Sequence, residues 1–132
     1  CPPPLPTIAD AITTAARHVA HAIEIAAIVT FTDSGATPLR AARERPTVPI
    51  IATTPTSTTA RRLTLVWGIH PVLMPDIHKF SEMVNKGCKV AIEQQFARQG
   101  ELIIMIAGVP FAVSGGTNIL RIAKIENFSE ES

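Results

Sequence analysis

Charge is scarce in this sequence. Of its 132 residues, 17% are Asp, Glu, Lys or Arg, against about a quarter in ordinary soluble domains. The balance is nearly neutral, with a formal net charge of +1, so there is no general electrostatic reason to bind nucleic acid or an anionic membrane. Cysteine is equally sparse. Cys1 and Cys88 form no framework pattern, and both read as reduced thiols of a cytoplasmic protein. No apolar run approaches the ~18 residues that a membrane span needs, and no basic segment followed by an apolar one opens the chain. No Walker lysine and no GxGxxG spacing is present, so neither nucleotide fingerprint applies. The chain starts at Cys1 rather than at a methionine, and it is expected to be cut from something longer.

Apolar residues are what the sequence has in quantity, at 46%. That content excludes disorder. The length suits one domain, since domains most often run to about 100–150 residues, and a chain of this order buries about two-thirds of its unfolded surface. A small domain with so thin a polar coat is expected to have part of its surface covered by something else.

Residues 1–6 (CPPPLP) read as an extended, proline-rich linker. Thr7 and Asp10 then resemble a capping box, and Ile8, Ile12, Ala15, Ala16, Val19 and Ile23 follow at helical spacing. The run 26–31 is short, apolar and rich in β-formers, which suits a strand buried on both faces. The alternation repeats. A helix over 37–45 stops at Pro46, and a strand over 48–53 follows. A helix over 57–67 places Ala60, Leu63 and Trp67 on one face, with Gly68 as its left-handed terminator, and a strand covers 69–74. Asp76 opens a long helix whose apolar series runs from Ile77 through Phe80, Val84, Cys88 and Ile92 to Phe96, with Gly87 marking a bend or a close helix contact. Strands over 102–107 and 118–125 have only the loop 108–117 between them, so they are expected to pair antiparallel. Residues 126–132 form a polar tail. The pattern predicts an α/β fold: a three-layer α/β/α sandwich around a mixed five-stranded sheet with its last strand antiparallel.

Ligands of such sheets gather at the carboxyl ends of parallel strands, where the next helix presents free N–H groups. Three segments there are rich in hydroxyls and glycine. In the first, residues 32–37, Gly35 lets the backbone approach a phosphate while Thr32, Ser34 and Thr37 can donate to its oxygens. Asp33 repels an anion unless it points away. The second, residues 53–59, reads as helix caps. The third carries Ser114, Gly115 and Gly116 before the last strand. For each, capping and turn formation is the alternative role. Catalytic and metal candidates are thin. His18 and His21 share a helix face but lack a third ligand nearby, which favours a solvated or interface face. His70 and His78 have no evident Ser, Cys or carboxylate partner. Arg40, Arg43, Arg45, Arg61 and Arg62 cluster around two helices and read as a solvated or subunit-contact face. No catalytic residue and no metal set is assigned.

The residues 27–35 (AIVTFTDSG), 42–46 (ARERP) with 49–53 (PIIAT), 68–72 (GIHPV) and 116–122 (GTNILRI), with the lead-in 10–12 (DAI), resemble the C-terminal domain of pyruvate kinase over residues 7–125. The resemblance implies phosphoryl transfer from phosphoenolpyruvate to ADP with Mg²⁺ and K⁺ in glycolysis, on a catalytic barrel that this chain lacks, so that the chain is inactive alone. It implies a regulatory and subunit-assembly domain of a homo-oligomer, a dimer contact within a tetramer. It further implies a phosphorylated effector, a sugar phosphate or nucleotide, held by Thr32, Ser34, Gly35 and Thr37 and by Ser114, Gly115 and Gly116. Two departures bear on the effector: Ala36 stands where many members have a basic residue, and Met83 or its neighbours where some bisphosphate-regulated members have an arginine. Arg98 lies too far along the helix to replace it. A monophosphate, or no effector, is therefore expected rather than a bisphosphate. A stand-alone phosphate-ester-binding domain of the same fold is the alternative, and an independent phosphotransferase or hydrolase using His70 a third reading.

Overall fold

The short runs of Ile, Val and Ala pair into one sheet. The computed structural model describes residues 8–31, 36–43, 47–75, 80–107 and 119–125. Its strands are β1 (Ile25–Phe31), β2 (Ile50–Thr54), β3 (Ile69–Leu73), β4 (Leu102–Ala107) and β5 (Ile119–Lys124). Its helices are α1 (Ile8–Ala22), α2 (Ala36–Arg43), α3 (Ser57–Leu63) and α4 (Phe80–Glu93). The expected linker 1–6, the Asp76 cap and the tail 126–132 lie outside the described residues. The strand order is β3-β2-β1-β4-β5. The first four strands run parallel, and β5 lies antiparallel to β4. This is the mixed five-stranded sheet that the strand–helix alternation predicts. The last pair turns antiparallel because no helix in the sequence pattern carries the chain back between them.

Each central strand is apolar at successive positions because both of its faces are covered. Ala27 and Val29 of β1, Ile51 of β2 and Ile103 and Met105 of β4 pack with Met83, Val90 and Ala91 of α4. The intervening Ile28, Ile50, Ala52, Ile104 and Ile106 pack with Ala16 and Ala20 of α1, Ala41 of α2 and Leu63 of α3. Three helices therefore cover one face and α4 the other, which completes the α/β/α layers. Gly87 explains how one helix covers its face: a Cβ there would run into the Met105 side chain and stand 3.6 Å from the ring of Phe31. The close approach at Gly87 is to the sheet, through Met105 of β4 and Phe31 of β1.

The structure departs from the sequence reading in three places. The stripe on α1 is centred on Thr13, Ala16 and Ala20, all buried, while Ala15 is exposed and Ile23, beyond the helix, is 42% exposed. The third helix stops at Leu63 rather than Trp67. Leu63 is 2% exposed and Trp67 94% exposed, so the two do not share a core face. Gly68 does adopt the left-handed conformation, at φ 86°, but it does so in the turn into β3, where its carbonyl accepts the Ile50 N–H at 3.0 Å. The long helix ends at Glu93, not Phe96. Gln95 takes φ 65°, its N–H reaches the Ile92 carbonyl at 3.0 Å, and the Phe96 N–H reaches the Ala91 carbonyl at 3.1 Å. That pair of bonds is a Schellman closure with Gln where glycine is usual.

Candidate functional site

The strand order sets where a ligand can enter. From β1 the chain steps outward to β2 and β3, then returns through α4 to place β4 on the other side of β1. The winding thus reverses between β1 and β4. Crevices outside the carboxyl ends of strands at such a reversal are where open α/β sheets bind ligands, because the flanking connections diverge there. The two strands are in register up to Thr30 and Ile106. Phe31 leads into residues 32–35 and on to α2. Ala107, which pairs with Ile119 across the antiparallel hairpin, bounds residues 108–118. The two segments singled out in the sequence thus begin and end at this one edge of the sheet.

Of the individual residues proposed there, Thr32, Ser34, Gly35, Ser114, Gly115 and Gly116 lie outside the described residues. Thr37 is the second residue of α2, with its side chain outside the described ones. The neighbouring hydroxyl segment, by contrast, is fully described. Thr53 donates its hydroxyl to the Thr30 carbonyl at 3.0 Å, and Thr30 donates to the Ile51 carbonyl at 3.4 Å. The Thr54 hydroxyl accepts the Thr56 N–H at 3.2 Å. Thr56 occupies the N-cap position of α3, with extended backbone (φ −105°, ψ 118°), yet its side chain makes no cap bond. The capping role expected for this segment is therefore replaced by bonds between strands and within the turn. Thr30, Thr53, Thr54 and Thr59 are all buried, and the hydroxyls of Thr30 and Thr53 tie the carboxyl ends of β1 and β2 together. Thr30 was not singled out in the sequence. A lone threonine ending an apolar strand was the available signal.

The remaining candidates separate. His18 and His21 are exposed on α1, and His70 is exposed on β3 with its ring 4.6 Å from that of Phe96, tilted by 48°. Arg43, Arg61 and Arg62 are exposed; Arg45 and the Arg40 side chain lie outside the described residues, as does His78. Met83, one of the positions that the resemblance sets against an arginine of bisphosphate-regulated members, is fully buried against the sheet and serves the core. Cys88 is a free, buried thiol. Burial pushes its pKa up, and the positive charge of Arg121 partly opposes the rise. Among the described residues no group of three or more His, Cys, Asp or Glu could hold a metal ion. No described helix is long and apolar enough to cross a membrane.

An open, mixed five-stranded sheet covered by helices on both faces, with its winding reversed between β1 and β4, defines the class: three-layer α/β domains. Comparison with known proteins narrows it. The family model described as "Pyruvate kinase, alpha/beta domain" matches residues 10–123, and the chain belongs to that family. It is 44% identical over 120 residues to a pyruvate kinase of Methylorubrum extorquens, covering 91% of this chain and 25% of the relative. It is 40% identical over 114 residues to one of Agrobacterium vitis, covering 86% and 24%, and 38% over 121 residues to one of Geobacillus stearothermophilus, covering 92% and 21%. The chain thus spans about a quarter or less of the length of these curated relatives.

Proposed function

We propose that this chain is the regulatory and subunit-assembly domain of a pyruvate kinase, a glycolytic enzyme of the cytoplasm, and that its carboxyl-edge connections hold a phosphorylated effector. The phosphoryl transfer from phosphoenolpyruvate to ADP, with its Mg²⁺ and K⁺, belongs on this reading to a catalytic part outside the chain. The observation that carries the effector site is topological. The connections bearing Thr32, Ser34, Gly35 and Thr37, and Ser114, Gly115 and Gly116, both start from strands that flank the winding reversal. The first of them also leads straight into α2, so a phosphate would meet free N–H groups and the positive end of a helix dipole. Glycine lets the main chain come close, and the hydroxyls donate to the oxygens.

The effector is a monophosphate rather than a bisphosphate on this reading, because Met83 is committed to the core and supplies no second cationic subsite. Regulation would work by linkage: an effector that binds one quaternary state better shifts the enzyme toward it. Titration calorimetry of the 132-residue chain with a hexose monophosphate and a nucleoside monophosphate tests the site. Binding heat from one of them, weakened by Ser34→Ala, is the expected result. No heat from either removes the effector role and leaves assembly alone.

A further inference from the structure

The first connection at the winding reversal is short. Phe31 ends β1 and Ala36 opens α2, so only residues 32–35 join them. A segment of that length has little slack, and where its two ends are held decides its course. The α2 end is held by Ala41, which is buried in the core. The β1 end is held twice. Thr53 of β2 donates its hydroxyl to the Thr30 carbonyl at 3.0 Å, which belongs to the peptide leading into Phe31. Phe31 is half-buried and pairs in register with Thr53. The tip of its ring stands 3.6 Å from where a Cβ on Gly87 of α4 would lie.

The hydroxyl of Thr53 is not what the core requires. Side chains alternate along a strand, so Thr53 shares the α4 face with Ile51. Valine has the same shape and would bury there without desolvating a hydroxyl. What the hydroxyl adds is direction, because a satisfied buried polar group rigidifies the groups it joins. We infer that Thr53 and Phe31 are positioning residues for the connection between β1 and α2. The hydroxyl fixes the last peptide of β1, and the ring seated at Gly87 fixes the side from which the chain leaves the sheet. Donors held in place bind an anion more tightly, since less ordering remains to be met on binding. The inference rests on the reading of this connection as a phosphate site.

The test compares Thr53→Val, Thr53→Ser and Phe31→Leu, with Ile125→Val as a control. Ile125 is fully buried and bonds to Glu101 just before β4, so trimming it lowers stability at the opposite edge of the sheet. One readout needs no ligand. Amide hydrogen exchange over residues 31–36, relative to the amides of β4, should quicken by about three- to tenfold in Thr53→Val, the factor a single hydrogen bond is worth. Phe31→Leu should quicken it as well, whereas Thr53→Ser and Ile125→Val should keep the parent ratio. The other readout is calorimetry with the hexose and nucleoside monophosphates. Affinity should fall by about the same factor in Thr53→Val and Phe31→Leu and stay at the parent value in Thr53→Ser and Ile125→Val. Parent-like exchange in Thr53→Val overturns the proposal. Parent-like affinity in both weakened variants overturns it while the phosphate site stands. An equal fall in Ile125→Val makes the effect one of stability and overturns it too. No heat from the parent itself withdraws the phosphate site, and the proposal with it.

Discussion

The two edges of the sheet are built from the same strands and differ in almost everything else. At the carboxyl edge the described polar side chains turn inward: Thr53 bonds to Thr30, Thr30 to Ile51, and Thr54 to the turn before α3. At the amino edge apolar side chains turn outward, with Trp67 and Leu65 largely uncovered. The difference follows from the direction of the helices. In a parallel α/β sheet, helix N-termini converge on the carboxyl edge with free N–H groups and positive dipole ends. Their C-termini converge on the amino edge, where Arg61 and Arg62 occupy the last turn of α3 and Arg43 ends α2. One edge thus suits a small anion. The other suits a broad apolar contact edged with positive charge.

Breaking the carboxyl edge alone is the sharpest test of that division. Gly35→Asp puts a carboxylate where the effector phosphate is proposed to sit, and it should abolish calorimetric phosphate-ester binding. Circular dichroism and the emission of Trp67 should stay as in the parent. Loss of structure instead would make Gly35 a turn residue and withdraw it from the site. A smaller effect is expected from Thr53→Val, which keeps the shape and removes the donor to the Thr30 carbonyl. Urea unfolding should show a loss of about 1–2 kcal/mol, the usual cost when a buried polar group loses its partner. The emission of Trp67, the sole tryptophan in a chain without tyrosine, should not move. If it does, the two edges are coupled and the comparison fails.

The smallest effect concerns neither edge but the α4 face between them. The Cys88 thiol holds its proton more tightly in the folded chain, because burial disfavours the thiolate more than Arg121 favours it. Its contribution to stability is complete below the ordinary cysteine pKa of about 8.5. It is lost as pH rises from there through the raised folded value, because the unfolded chain then binds fewer protons than the folded one. Unfolding midpoints of the parent should therefore fall across the alkaline range more steeply than those of Cys88→Ala. Parallel slopes would assign the alkaline loss to other groups.

Most of the architecture is legible along the chain because its signals are local. Runs such as 102–107 are apolar at every position, which only a strand covered on both faces sustains, and the absence of a helical pattern over 108–117 announces the antiparallel return. The misreadings share one cause. Trp67 keeps helical spacing with Leu63, and Phe96 with Ile92, yet both helices end first. Periodicity records which residues are apolar but not where the backbone leaves the helix, and Gln95 at positive φ carries no glycine to announce its turn. The threonines of 53–59 show the same limit. Their density before a helix suggests caps, whereas the partner of Thr53, the carbonyl of Thr30, lies 23 residues earlier.

By itself the sequence determined the class of fold, the order of its elements, the family and the proposed phosphate-binding residues, because propensity, period and motif are properties of neighbours along the chain. Only the tertiary structure decided the rest. It placed β1 beside β4, so that the strands leading into residues 32–35 and 108–118 are neighbours. It pressed α4 onto Met105 through the missing Cβ of Gly87. It also turned Trp67 out of the core. Each of these depends on which surfaces meet after the strands pair, and that is fixed by three-dimensional packing rather than by residue order. The low charge of the chain falls between the two. Composition gives only a thin polar coat, and the fold shows where apolar side chains stand uncovered, at Trp67 and Leu65.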